Sequence, residues 1–297
     1  MDQWLLPAWL DSAVGRRLEA LDADGYGRRL WEADASLWKA DDEEHQRVVR
    51  ASLGWLSVFE GVRDQVAGLT EFVDEVREEG YRSAVLLGMG GSSLAPEVMR
   101  EVLGVREGFL DLHVLDSTDP AAVLAVEAAV DLETTLFIVS SKSGGTTETA
   151  SFHAYFYERL TELDGEHAGH HFVAVTDEGT SLQQEALDQG FRAVFMNPSD
   201  IGGRFSALSF FGLVPAALMG VDLERLLDGV RATAVECGPD LPASENPALR
   251  LGAGVNSLLV NFAKRYAGLG SAMRRAIAAY QQDVQTGRFP APENCYT

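Results

Sequence analysis

Two rhythms divide the chain. From residue 84 to residue 196, short and nearly continuous apolar runs recur: Ala84–Leu87, Leu112–Leu115, Leu136–Val139, Phe172–Val175 and Ala193–Met196. Each has strand length, and unbroken apolar character is what a strand buried on both faces requires. The segments between them, Leu94–Val102, Pro120–Val130, Thr147–Leu163 and Ser181–Gln189, can each form a helix. Strand–helix alternation of this kind predicts an α/β fold, a doubly wound, five-stranded parallel sheet. Such sheets bind ligands beyond the C-terminal strand ends, near a switch in strand order. The loops after the strands are therefore where chemistry is expected.

The first 80 residues follow a helical rhythm instead. Val14–Ala23 and Asp41–Phe59 space their apolar residues near 3.6, and a third helix, Thr70–Glu79, is closed by Gly80 as a C-cap. All five tryptophans (Trp4, Trp9, Trp31, Trp38, Trp55) lie in this part. The net charge is −21, divided into −24 over residues 1–254 and +3 over residues 255–297. These shifts suggest an N-terminal helical segment (1–80), a ligand-binding domain (81–254) and a basic helical tail (255–297). In the tail Tyr266, Leu269, Met273, Ile277 and Tyr280 form an amphipathic pattern. The acidic surplus argues against broad contact with nucleic acid or anionic lipid. It leaves room for a small anionic ligand read by a local site. No apolar run reaches the roughly 18 residues of a membrane span. Met1-Asp2-Gln3-Trp4 does not begin a secretory signal, and Cys237 and Cys295 are too few for a disulfide framework. A cytoplasmic protein is expected.

Three loops stand out. The first strand runs into Gly88-Met89-Gly90-Gly91-Ser92-Ser93. It can serve as a tight strand-to-helix turn or as a loop whose amides face a phosphate or a sugar hydroxyl; three glycines and two serines favour the second. A dinucleotide fingerprint fits poorly, because Ser93 stands at its third glycine, although Asp116 occupies the place of a ribose-binding acid. The third strand runs into Ser140-Ser141-Lys142-Ser143-Gly144-Gly145-Thr146-Thr147-Glu148-Thr149. A Ser/Thr N-cap accounts for one or two of these hydroxyls, not for all of them beside paired glycines. A phosphate cradle accounts for the set. The fifth strand runs into Asn197-Pro198-Ser199-Asp200-Ile201-Gly202-Gly203-Arg204-Phe205-Ser206. Arg204 suits a developing oxyanion, and it suits a structural ion pair equally well. His170-His171 place adjacent side chains on opposite faces and are poor joint metal ligands. His153, among Tyr155, Phe156 and Tyr157, reads as packing. Asp177, at a strand end, can orient a ligand or cap a helix. No metal or catalytic-triad spacing emerges.

Taken together, the three loops resemble the signature loops of the glucose-6-phosphate isomerase family, in its first sugar-isomerase (SIS) domain. Arg29–Trp38 and Ser206–Gly220 resemble the isomerase half of the bifunctional transaldolase/glucose-6-phosphate isomerase members. The likeness covers roughly residues 15–254. It implies a flavodoxin-like SIS fold and a hexose phosphate substrate, with no metal or organic cofactor. It also implies that Gly91 and Ser92 contact the sugar, that Ser141, Lys142, Ser143 and Thr146 bind the phosphate, and that Arg204 stabilises an enediolate. The family's general base lies in a second SIS domain that nothing here matches. The chain then reads as a truncated isomerase, to be completed by a second copy or a partner. The alternative is a sugar-phosphate-binding module without turnover. Residues 255–297 resemble the C-terminal end of ketopantoate hydroxymethyltransferase, which makes a transferase the third reading.

Overall fold

The computed structural model describes residues 7–262, together with Gln282 and Thr286. The amphipathic pattern from Tyr266 to Tyr280 lies outside the described residues. In chain order the helices before the sheet are α1 (Ala8–Ala23), α2 (Tyr26–Trp31), α3 (Glu43–Arg50), α4 (Val58–Gly61) and α5 (Val66–Glu78). The sheet region alternates β1 (Ser83–Gly88), α6 (Leu94–Leu103), β2 (Asp111–Leu115), α7 (Pro120–Ala129), β3 (Thr135–Ser140), α8 (Thr147–Asp164), β4 (Phe172–Asp177), α9 (Ser181–Asp188) and β5 (Ala193–Asn197). The chain continues through α10 (Phe210–Leu218), α11 (Leu223–Glu236) and α12 (Pro247–Phe262).

Every expected strand forms, and each contains the apolar run that predicted it. The strands pair in the order β2-β1-β3-β4-β5, all parallel. The order switches at β1, whose neighbours are β2 and β3. Gly88 lies opposite Ser140 in register, so β1 and β3 end level with each other. Alternate residues bury both faces of the sheet. Ala84, Leu86, Ile138, Val173 and Val175 join a cluster with Leu69 and Val73 of α5 and Leu213 and Val214 of α10. Val85, Leu87, Phe137, Val139 and Ala174 join Phe152 and Phe156 of α8 and Leu182 of α9. Continuous apolar strands are thus explained by helices on both sides.

The described chain packs as two units, and they do not follow the expected boundaries at residues 80 and 254. One unit is Gly25–Pro242. It takes in α4 and α5, because Val58, Val62, Val66 and Val76 bury into the same cluster as the strands. The other comprises the described parts of Met1–Asp24 and Ala243–Thr297. Within it Leu10, Val14 and Leu18 of α1 pack with Ala243 and with Ala253 of α12, and Asp22 accepts a hydrogen bond from the Ala243 N–H at 2.6 Å. α12 runs unbroken through residue 254.

The helix expected over Asp41–Phe59 is broken. α3 ends at Arg50, a 3-10 turn spans Gly54–Leu56, and α4 follows. The backbone between them bonds elsewhere: the Gly54 N–H donates to Asp200 O at 2.9 Å, and Leu53 forms an antiparallel bridge with Ile201. Helical periodicity in this stretch reflected burial rather than one continuous helix.

His153 packs as expected, buried in α8 against Tyr157, Phe172 and Phe191. Burial holds its pKa below the ordinary value of 6.5, with Glu185 opposing the shift. The folded state therefore binds fewer protons at this site than the unfolded chain. The stability that neutral His153 supports is complete above about pH 6.5 and is lost as the pH falls below that value. Urea midpoints measured from pH 8 to pH 5 should fall more steeply for wild type than for His153→Gln; parallel curves would show that His153 contributes nothing.

Candidate functional site

The β1 and β3 loops meet at the switch point. Ser140 Oγ donates to Ser92 O at 3.2 Å, stitching one strand end to the other loop. Gly90 takes φ +55°, a conformation open to glycine, as the chain turns into α6. Past β3, the Ser141 N–H donates to Val175 O of β4, and Ser141 Oγ pairs with Thr146 Oγ1 at 3.1 Å. Thr146 is the N-cap of α8, but its hydroxyl does not cap the helix. The first N–H groups of this 18-residue helix thus face the loop without a side-chain cap. Gly144 takes φ +67° and lies against the Thr180 side chain, where a Cβ would come within 2.6 Å of the Thr180 Cβ. Ser181 Oγ donates to Gly144 O at 2.9 Å. The β3 loop is therefore held from below by α9, with Ser143 and Gly145 exposed at its rim.

Lys142 binds two partners. Its Nζ lies 2.5 Å from Asp177 Oδ2 at the end of β4 and 2.8 Å from Ser199 O in the β5 loop. The Asp177 carboxylate is largely shielded, at 14% exposure of its side chain. Lys142 thus ties three strand ends together, which a lysine read as a free phosphate ligand does not suggest. An ammonium carries three N–H donors, and these two contacts use two.

The β5 loop folds back over β1. Ser206 Oγ is within 3.0 Å of Gly91 O and 2.7 Å of Gly203 O, bridging the two loops. A Cβ on Gly91 would land on the Gly203 carbonyl, so that glycine is required by close backbone approach. Arg204 is exposed and makes no ion pair or hydrogen bond among the described residues. The structural ion pair that was open from sequence is absent there. On its outer side the loop leans on residues 52–55: Trp55 stacks on Phe205, with centroids 5.6 Å apart and planes at 26°.

The structure brings together Gly91, Ser92, Ser141, Lys142, Ser143, Thr146 and Arg204 on three loops at the C-terminal end of the sheet. It leaves Asp116 exposed beyond β2. His171 is buried with its Nδ1 3.4 Å from Thr135 O, while the adjacent His170 is exposed. No group of metal-binding side chains forms among the described residues, and no described helix is long and apolar enough to cross a membrane. Sequence reasoning missed Ser52–Trp55, Thr180 and Ser181, which contact the loops from distant positions.

A parallel α/β sheet with hydroxyl- and amide-rich loops at its strand switch is the general architecture of a phosphorylated-ligand site. Residues 55–290 match the family model described as phosphoglucose isomerase. The chain belongs to that family. It is 31% identical over 261 residues to the glucose-6-phosphate isomerase of Carboxydothermus hydrogenoformans, covering 84% of this chain and 54% of that protein. The structure of a hypothetical protein from Thermus thermophilus superposes with a TM-score of 0.66 at 30% identity, over 83% of this chain and 55% of that one. The glucose-6-phosphate isomerase from Chlamydia trachomatis shares the fold, with a TM-score of 0.63 at 24% identity over 84% of this chain and 50% of that one. The chain spans about half or less of the length of the curated relatives it matches, from 29% to 54%. The family match runs past residue 254, where the motif resemblance stops, and reaches residue 290. Most of the basic tail is thus assigned to the same family as the rest, and the likeness to ketopantoate hydroxymethyltransferase gains no support.

Proposed function

We propose that this chain binds a hexose 6-phosphate at the β1/β3 switch and supplies the phosphate-binding half of an aldose–ketose isomerase. The phosphate is placed over the β3 loop, where the Ser143 and Thr146 hydroxyls, the loop amides and the first turn of α8 offer donors. Ser141 orients Thr146, and the third N–H of Lys142 is directed to the same anion. Gly91 and Ser92 contact the sugar. Arg204 faces the reacting carbons and stabilises the enediolate formed when a proton moves between C2 and C1. The observation that carries this reading is the joining of the three loops by direct hydrogen bonds, one of them bearing an exposed arginine with no protein partner among the described residues. A guanidinium is always charged, so it is a ready counter-ion for a developing oxyanion. No metal or organic cofactor enters the scheme, and a cytoplasmic setting belongs to the same reading. The kinship with transaldolase-fused isomerases rests on Arg29–Trp38 and Ser206–Gly220 alone.

The general base is placed outside this crevice. Asp177, the carboxylate at a neighbouring strand end, is engaged by Lys142 through its Oδ2 and serves to tie the strand ends together. That favours a chain that binds hexose phosphates but turns them over poorly until a second copy or a partner supplies the base. Loss of a general base costs on the order of 10²–10⁴ in rate. A coupled isomerase assay beside calorimetry with glucose 6-phosphate tests this. Binding with slow turnover is expected, and fast turnover by the isolated chain would refute the missing base. Ser143→Ala should weaken hexose phosphates by about tenfold, the lower end of what one hydrogen bond to a charged group contributes, and leave free glucose unchanged. Equal losses for both ligands would remove the phosphate from this loop.

A further inference from the structure

We infer that Trp55 is a positioning residue that fixes the Arg204 turn from outside the sheet domain's own loops. The inference rests on the sugar-phosphate reading for what Arg204 does, but the restraint itself is visible in the contacts.

Arg204 lies in a 3-10 turn, Gly203–Leu208, whose regular geometry is interrupted at Phe205 (φ −115°, ψ 15°). The kink falls on the residue next to the arginine. An exposed kinked turn carrying a long cation has no intrinsic reason to hold one orientation. Two restraints supply it. On the inner side Ser206 bridges Gly91 O and Gly203 O. On the outer side the stretch Ser52–Trp55 forms a short antiparallel contact. The Gly54 N–H donates to Asp200 O, the Gly202 N–H donates to Ser52 O at 3.4 Å, and Leu53 bridges Ile201. Both Leu53 and Ile201 are buried, which anchors the contact to the core. Trp55 then stacks on Phe205 beyond the last of these hydrogen bonds.

The backbone contact covers residues 200–202 and Ser206 covers the following turn. Arg204 and Phe205 are the exposed stretch between them; the Phe205 N–H donates to Gly202 O at 2.8 Å within the turn itself, and the Trp55 ring reaches the stretch from a distant part of the chain. Phe205 remains 51% exposed even when stacked. Such exposure of a large aromatic ring is explained if the ring serves as a handle on the turn rather than as core. A single aromatic pair of this kind is enough to bias a loop and too little to decide folding.

The test separates this role from general stability. Trp55→Ala, Trp55→Phe and Phe205→Ala are made in the full chain; Phe205→Ala removes the same stack from the half-exposed side. Three quantities are measured. Trypsin cleavage after Arg204, followed by mass spectrometry, reports the freedom of the turn without any ligand. Calorimetry with inorganic phosphate reports the β3 loop. Calorimetry with a sugar-phosphate hydroxamate, planar and anionic where an enediolate is, reports Arg204. Trp55→Ala and Phe205→Ala should speed cleavage after Arg204 and weaken the hydroxamate by about three- to tenfold. Phosphate binding should stay at the wild-type level, and Trp55→Phe should recover most of both losses. Unchanged cleavage, equal weakening of phosphate and hydroxamate, or no recovery in Trp55→Phe would overturn the inference. If wild type binds neither ligand, the sugar-phosphate reading fails, and the cleavage rates alone decide whether Trp55 fixes the turn.

Discussion

Gly91→Ala is expected to abolish useful ligand binding while leaving the fold recognisable. The added methyl meets the carbonyl group of Gly203, and the Gly203 Cα lies 3.0 Å from its position. These are backbone atoms, so no side chain can rotate away to make room. Relief requires the β1 and β5 loops to part. That breaks the Ser206 bridge, in which one hydroxyl reaches both Gly91 O and Gly203 O. Overpacking of this kind costs typically 1–3 kcal/mol. The functional loss should be larger than the stability loss suggests. Displacing reacting groups by about 1 Å can cost on the order of 10²-fold, and here the moved loop carries Arg204. Calorimetry with glucose 6-phosphate should show binding weakened by at least about tenfold, beside a modest fall in urea midpoint. Gly68→Ala is the control. It sits inside α5 with open space around the added methyl, and alanine favours helix over glycine by roughly 0.5–1 kcal/mol. It should raise the midpoint slightly and leave binding intact. Wild-type affinity in Gly91→Ala would show that the two loops need not touch for the site to work.

The contrast between Gly91 and Trp55 marks how far the sequence could be read. The strands announced themselves, because a parallel strand must be apolar on both faces and few other elements are. The β1 and β3 loops were legible for a related reason. Glycine and hydroxyl residues placed directly after such a strand have little to do in a core. Arg204 was visible as a candidate but undecided, since a lone arginine looks the same whether paired or free. Only the absence of a partner among the described residues resolved that. What the sequence could not show was support from a distance. Ser52–Trp55 belong to a stretch with convincing helical periodicity, and its backbone instead bonds to residues 200–202. Periodicity reports which side of a segment is buried and says nothing of which distant backbone takes its N–H groups. Lys142 shows the same limit. Its position in the β3 loop suggested a phosphate, while its partners, Asp177 and Ser199, come from the end of β4 and from the β5 loop.

Phe172→Ala should be the most destabilising substitution in the sheet domain, and its cost should appear at His153 as well. Phe172 opens β4 and is fully buried. Its ring stacks between Phe137 and Phe191, each with a centroid separation of 5.2 Å and planes at 27°. His153 meets it edge-on at 5.3 Å, and Tyr157 tilts against it at 5.6 Å. Four side chains thus lose a partner at once. Because they come from β3, from α8 and from the segment before β5, they cannot collapse together into the space. Phe→Ala at such a site costs about 3–5 kcal/mol, a large share of the roughly 5–15 kcal/mol that holds a domain folded. The second consequence concerns charge. Burial depresses the pKa of His153, and Phe172 forms part of what shields it. Opening that wall lets water approach the ring, so the pKa of His153 should rise back toward its ordinary value near 6.5. The variant should therefore be much less stable at neutral pH and lose proportionately less on acidification, because its folded state accepts the proton more readily. Urea unfolding at pH 7.5 and pH 5.5, together with an NMR titration of the histidine ring, measures both effects. A loss below about 1 kcal/mol would mean that the aromatic layer repacks. A full loss with an unmoved titration would mean that the other walls of the pocket, Tyr157 and Phe191, are sufficient to keep His153 dry.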